Sequence, residues 1–252
     1  MRNRLFLLVL LAFTPILNAQ INKVDEKGKK QGAWEKTYPR SKALHYKGQF
    51  KDDKPVGTFQ YFYPSNKIQA VIVHDSKSNR SKAEFYHENG IIMSKGIYRD
   101  MKKDSIWLSF GPSGRKTFSE SYKGDLLNGE RIIYYISEDP NDRSERICSK
   151  SNYLNGKLEG EQTEYFDGGT LKNKGTYKNN KKEGVWMSYH PNGKKMLEQR
   201  FKIGEYHGWF VSYDEDGNET GKKYYYHGEP LEGKALEAKM KMMKAKGINP
   251  ND

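Results

Sequence analysis

The sequence predicts an all-β protein: an elongated single-sheet or gently curled array of about eight consecutive antiparallel β-hairpins with a 24-residue period and a short C-terminal capping helix. Three observations predict it. Steps of twelve from Tyr153 land on Tyr165, Tyr177, Tyr189, Phe201, Tyr213 and Tyr225, and steps of twelve from Tyr38 land on Phe50, Phe62, His74, Tyr86, Tyr98, Phe110, Tyr122 and Tyr134. Only His74 departs from the aromatic rule. Four residues past alternate lattice aromatics stand Asn66, Gly90, Gly114, Gly169, Gly193 and Gly217, and five before them stand Gly57, Gly129, Gly160, Gly184 and Gly208. These residue types tolerate left-handed turn positions. Finally, the period changes after Gly233, where Leu236, Met240 and Met243 follow i, i+4, i+7 spacing among lysines.

One unit runs strand, tight turn, strand, looser turn. Pro191-Asn192-Gly193 supplies the tight turn, because Asn-Gly is a strong hairpin signal, and Gly184 and Gly208 mark the looser links. Two rings per unit bury too little to offset the entropy of fixing its backbone. Each hairpin must therefore stack on its neighbours, and the lattice has to run nearly end to end.

In chain order, residues 1–19 read as a secretory signal: Arg2 and Arg4 form a basic end, Leu5 to Ile16 an apolar run, and Ala19 a small residue at the cut. That run is shorter than the roughly 20 residues needed to span a bilayer. Residues 20–31 form a polar, Lys-rich lead-in without periodic signal. The array occupies 32–233 with no domain boundary, and in its third hairpin Asp75 to Arg80 replaces the usual glycine link. Between Tyr134 and Tyr153 the step is nineteen, so seven residues are added, and the charged insertion 137–146 stands there in place of a turn. Residues 234–247 form an amphipathic helix that caps the last hairpin, whose free edge would otherwise invite strand pairing. Residues 248–252 are a tail.

The formal net charge is +12, and +10 once Arg2 and Arg4 are removed. This balance attracts acidic partners. For an exported, periplasmic or secreted chain those are an acidic protein or an anionic envelope component, not nucleic acid. No further apolar run approaches membrane length, so the mature chain is expected to lack a transmembrane segment. Cys148 is the one cysteine, which excludes an internal disulfide framework. With 35% hydrophobic and 30% charged residues the composition alone leans toward disorder, but 13% aromatics on a regular lattice point to a fold with a thin aromatic core.

The sequence offers no catalytic signature. His-x-x-x-His, Cys-x-x-Cys, Gly-x-Ser-x-Gly and phosphate-loop patterns are absent, so no enzyme, cofactor or metal is expected. His87 and His190 each follow a lattice aromatic, and His74 reads as a ring filling the lattice. Within strands, lattice aromatics are expected on one face and the residues three before them on the other. Phe59, Trp107, Trp186 and Phe210 would then form an aromatic ledge flanked by lysines, suited to partner contact. Alternatively, the array curls and buries both faces. The insertion, with Asp139, Asp142, Arg143 and Arg146, is a second candidate contact region, because loops freed from a repeat carry specific contacts.

The recurring Gly-x-Trp-x-x-Tyr-x-x-x-Gly of Gly184, Trp186, Tyr189 and Gly193, preceded by Tyr177 to Glu183, resembles the bacterial variant of the MORN repeat, which includes the YwqK-type proteins often labelled antitoxin-like. The likeness covers roughly 32–233. It implies consecutive hairpins acting as a scaffold for protein or lipid contacts, without catalytic residues. Three functions follow as expectations. The first is an exported, non-enzymatic scaffold binding a macromolecular partner. The second is an immunity-type protein acting on a toxin outside the cytoplasm, and the third a hydrolase of envelope polymers, which would need facing carboxylates.

Overall fold

The computed structural model describes residues 20–139, 141, 142 and 144–251. Residues 1–19, expected to be a secretory signal, lie outside the described residues, as does Arg143. Among the described residues nineteen strands pair antiparallel, each with a chain neighbour. They are β1 (Lys23–Val24), β2 (Lys30–Thr37), β3 (Leu44–Lys51), β4 (Lys54–Phe62), β5 (Ile68–His74), β6 (Arg80–Tyr86), β7 (Ile92–Arg99), β8 (Lys102–Phe110), β9 (Lys116–Lys123) and β10 (Leu126–Tyr134). The order continues with β11 (Ile147–Leu154), β12 (Lys157–Tyr165), β13 (Leu171–Lys178), β14 (Lys181–Tyr189), β15 (Lys195–Lys202), β16 (Glu205–Tyr206), β17 (Gly208–Tyr213), β18 (Glu219–Tyr226) and β19 (Glu229–Leu231). The helix α1 (Gly233–Ala245) follows. The result is one open sheet of eight consecutive hairpins, β2–β3 through β17–β18, as the period predicts. Within the polar lead-in, β1 pairs with β2.

The two turns of the unit exchange roles. The link between successive hairpins is the tight one: Asp52 and Asp53, Asn155 and Gly156, and Asn179 and Asn180 each hold two consecutive positive φ angles. That is the type I′ turn, whose twist matches the flanking strands. At Pro191-Asn192-Gly193 only Gly193 has positive φ, at 84°. Gly193 N–H donates to the His190 carbonyl at 2.9 Å and His190 N–H to the Lys194 carbonyl at 2.9 Å. This is the longer loop with a type I turn and a left-handed glycine. Gly184 and its repeat equivalents are bulges inside strands, where positive φ bends the chain.

Ser105 occupies that bulge position in the fourth hairpin at φ 61°. A left-handed residue with a Cβ is strained by about 1–2 kcal/mol, so Ser105→Gly is expected to stabilise the chain by about 1 kcal/mol and to raise the melting temperature by roughly 2–4 °C. A calorimetric scan that shows no rise would count against strain at this bulge.

The lattice aromatics do not share one face. Gly184 lies opposite Phe201 in the ladder, and Trp186 opposite Gln199. Residues that face one another across strands share a side of the sheet. Tyr189 stands five residues after Gly184 and three after Trp186, odd spacings that turn it to the other side. Hence Phe50, His74, Tyr98, Tyr122, Tyr153, Tyr177, Phe201 and Tyr225, at the ends of second strands, share one face with Phe59, Trp107, Trp186 and Phe210. Phe62, Tyr86, Phe110, Tyr134, Tyr165, Tyr189 and Tyr213 lie on the opposite, open face.

The predicted ledge is therefore the core. Phe59 and Trp107 are 2% exposed, Trp186 7% and Phe210 9%. Three of the rings pack edge-on against second-strand rings: Trp186 meets Tyr177 with centroids 5.0 Å apart, Trp107 meets Tyr98 at 4.9 Å and Phe59 meets Phe50 at 5.1 Å. Beneath them the neighbouring strand has no side chain. A Cβ on Gly48, Gly96 or Gly175 would come within 2.5, 2.3 or 2.1 Å of Phe59, Trp107 or Trp186. The indole N–H groups of Trp107 and Trp186 donate to the Ile97 and Thr176 carbonyls at 3.1 and 3.2 Å, which lets them be buried without loss.

Helix α1 caps the last hairpin from the open face and not at its edge. Tyr224, 1% exposed, sits under it with its hydroxyl 3.5 Å from Met243 Sδ and donating to the Pro250 carbonyl at 3.0 Å. Lys239 Nζ lies over the Tyr226 ring, and the Trp209 N–H donates to Asn251 Oδ1 at 3.3 Å. Among the described residues no helix is long and apolar enough to cross a membrane.

Candidate functional site

The open face is the first candidate surface. Its lattice rings recur every second strand and are half-buried. Lysine ammonium groups lie over several: Lys47 over Phe62 at 5.8 Å, Lys95 over Phe110 at 5.7 Å, Lys116 over Tyr134 at 5.1 Å and Lys195 over Tyr213 at 5.3 Å. The charge is partly balanced along this face, since Lys82 pairs with Glu84, Lys116 with Glu145 and Lys195 with Glu198. Val73 and Ile106, 44% and 59% exposed, occupy the repeat positions of Tyr224, which α1 covers, and of Trp209 across from it. The feature that reveals this face in the sequence is the odd spacing between bulge glycine and lattice ring.

The 137–146 loop is stapled to both neighbours. The Arg115 guanidinium donates to the Ser137, Asp139 and Asp142 carbonyls. Arg146 pairs with Asp142 at 2.9 Å inside the loop and with Asp167 of the next hairpin at 3.1 Å. Ser144, through hydroxyl and backbone N–H, and then Arg146 hold the Asp142 carboxyl down to about 2. Asp139 receives the Asn141 N–H at 2.9 Å. Asp142 and Arg146 are thus engaged within the loop and its neighbours, while Asp139 stays on the surface.

The aromatic core is interrupted at its centre. Seven pairs eleven residues apart face one another on the packed face: Gly48 and Phe59, Ile72 and Ala83, Gly96 and Trp107, Glu120 and Arg131, Ser151 and Gln162, Gly175 and Trp186, Gln199 and Phe210. Large rings meet glycine, and Ala83 meets Ile72. Between hairpins four and five, and between five and six, the pairs are polar. Arg131 Nε donates to Glu120 at 2.9 Å, and Glu120 also accepts from the Tyr122 hydroxyl at 2.8 Å. Desolvation and the Glu120 contact push Tyr122 up to about 12. Glu164 accepts from Gln162 at 3.1 Å and Asn173 at 2.8 Å. Glu120 and Glu164 stand on strands three apart in the sheet, a separation of about 14 Å. That exceeds the roughly 5–10 Å at which paired carboxylates act on a glycosidic bond.

The histidines follow the repeat. His87 and His190 donate through Nε2 to the Phe110 and Tyr213 carbonyls at 2.9 Å, where Tyr38, Tyr63 and Tyr135 place their hydroxyls. His74 fills the lattice edge-on to Phe59 at 5.3 Å, with Nδ1 2.8 Å from Ser81 Oγ. Burial lowers its pKa, so the unfolded chain takes up a proton that the folded chain refuses. Stability is full above the ordinary value near 6.5 and falls as pH drops from there toward the lowered one. Melting curves at neutral and mildly acidic pH are expected to show a larger loss for the wild type than for His74→Phe. Equal losses would remove His74 as the cause. Among the described residues no group of three His, Cys, Asp or Glu side chains could hold a metal ion. Cys148 is half-buried and free.

No curated protein matches the chain. Among solved structures it is similar at 10% identity to part of one described as the crystal structure of TcdB2-TccC3-TEV, with a TM-score of 0.20, covering 68% of this chain and 11% of that one. It is similar at 10% identity to part of the Photorhabdus luminescens Tc holotoxin pore, with a TM-score of 0.19, covering 72% of this chain and 12% of that one. The chain therefore spans about a tenth of the length of those proteins. Residues 82–100, 158–179 and 182–202 match the family model of the MORN repeat variant. These segments coincide with β6–β7, β12–β13 and β14–β15, so three of the eight hairpins are similar to the MORN repeat variant.

Proposed function

We propose that this chain is an exported, non-enzymatic scaffold that binds an acidic protein partner on the open face of hairpins two to four. The observation that carries the proposal is the seat of α1. In the last hairpin an amphipathic helix with lysines on its rim covers Tyr224, and the equivalent Val73 and Ile97, with Ile106 beside them, are left on a face that carries Lys47 and Lys95. An amphipathic segment with acidic flanks complements that surface in shape and charge. The basic end and apolar run of residues 1–19 support export, and the net charge supports an acidic partner.

The test is capture from envelope extract by the immobilised mature chain, with a Val73→Lys, Ile106→Lys variant alongside. These exposed substitutions are expected to leave melting within about 0.5 kcal/mol of the wild type and to abolish capture of a protein. Equal capture by both proteins would reject the open face. Capture of anionic lipid or glycan alone would replace the protein partner by an envelope surface.

A further inference from the structure

We infer that a notch on the turn edge between hairpins two and three is a second binding site, built to receive an acidic tight turn of another polypeptide. It lies at the edge of the sheet and stands whether or not the open face binds a partner.

Along this edge the tight turns staple one another. A turn N–H donates to a carbonyl at the start of the preceding hairpin: Asp53 to Lys30, Asp125 to Lys103, Gly156 to Leu127, Asn180 to Leu158, Gly204 to Lys182 and Gly228 to Tyr206, at 2.8 to 3.2 Å. Asp53, Asp125 and Asn180 also return a side-chain oxygen to the Lys30, Lys103 and Leu158 N–H groups at 2.9, 2.6 and 2.7 Å. At the equivalent place in hairpin two stands Pro55, which has no N–H to give. Its carbonyl receives no turn N–H, among the described residues. The other proline at this repeat position is Pro230, after which no further hairpin follows.

The cause is the 75–80 loop, which folds on itself. Asp75 N–H donates to the Arg80 carbonyl at 3.0 Å, and the Asp75 carboxylate takes the Lys77 N–H at 2.9 Å and the Ser78 hydroxyl at 2.7 Å. It leaves a cavity of about 740 Å³ where a turn would sit, floored by His74 and Ser81. Lys54, Lys77 and Arg80 line it, and none forms an ion pair among the described residues. The two carboxylates present are engaged, Asp75 as above and Asp100 by Asn79 Nδ2 at 2.7 Å. The open place thus offers a backbone acceptor at its wall and, at its rim, Lys54 and Lys77 outside any ion pair among the described residues, beside Arg80, whose charge also acts on Asp75. A tight turn with an aspartate satisfies both: its N–H meets the Pro55 carbonyl and its carboxylate the cations.

The probe is a cyclised hairpin peptide carrying the Lys123-Gly124-Asp125-Leu126 turn, titrated into the mature chain and followed by amide chemical shifts. Shifts are expected in Lys54, Val56, residues 74–81, Asp100 and Met101. A Lys77→Glu, Arg80→Glu variant, changed only at exposed positions, should bind at least about tenfold more weakly. N-methylation of the turn should weaken binding similarly. Shifts elsewhere or none, unchanged binding by the variant, equal binding of the N-methylated peptide, or the same shifts from inorganic phosphate alone would each overturn the inference.

Discussion

Gly175→Ile is expected to prevent hairpin seven from packing, and Trp186→Ala in the same chain is expected to restore it. The Trp186 ring would lie 2.1 Å from a Cβ at position 175, so even Gly175→Ala forces the indole away and costs about 3 kcal/mol. Trp186→Ala alone leaves a void in the core and costs about 3–5 kcal/mol. Made together, Gly175→Ile and Trp186→Ala reproduce the pair that hairpins two and three already use, Ile72 against Ala83, where Ala83 is fully buried. The isoleucine then fills the space of the missing indole. The coupling between the two substitutions should reach about 2–3 kcal/mol in urea midpoints read at constant slope. Costs that simply add would show that the glycine and the ring are not a packing unit.

Tyr224→Ala should cost about 3–5 kcal/mol and release α1, because this side chain lies in the interface that holds the helix. Tyr224→Phe should cost only about 1 kcal/mol, the value of the hydrogen bond to the Pro250 carbonyl. Met243→Asp tests the same seat from the helix, since it places an unpaired charge over the Tyr224 ring. Hydrogen exchange should then show protection lost across α1 while hairpins two to six keep theirs, as nearest-neighbour stability in a repeat array requires. Loss of protection throughout the sheet would show that the cap governs the whole array.

The candidate surfaces were legible in the sequence to different degrees. The insertion at 137–146 stands out as a break in the period, yet nothing in the sequence says that Arg115 and Asp167 would take up its polar groups. Phe59, Trp107, Trp186 and Phe210 are visible as a recurring set, but not as the core, because their side depends on the facing strand and not on their own. The eleven-residue partnership of Gly96 with Trp107 and Gly175 with Trp186 was readable, and it would have placed the rings on glycine and therefore inside. Pro55 was readable too, as a residue without an N–H where its equivalents donate one. Its meaning appears only beside the staples of the other turns.

The structure decided which residues of positive φ are turns and which are bulges, but by itself the sequence determined the period, the class and number of hairpins, the residues that take positive φ, and the terminal helix. Each of these follows from local chemistry: alternation along a strand, positive φ at glycine and asparagine, and helical spacing of apolar residues. The tertiary structure alone decided which face each ring takes. Register across a bulge and a type I′ turn resets the parity of the next strand, and one residue of register exchanges core for surface. It also decided that α1 covers a face and that one rung of the turn ladder is left open, since both depend on contacts between segments distant in the chain.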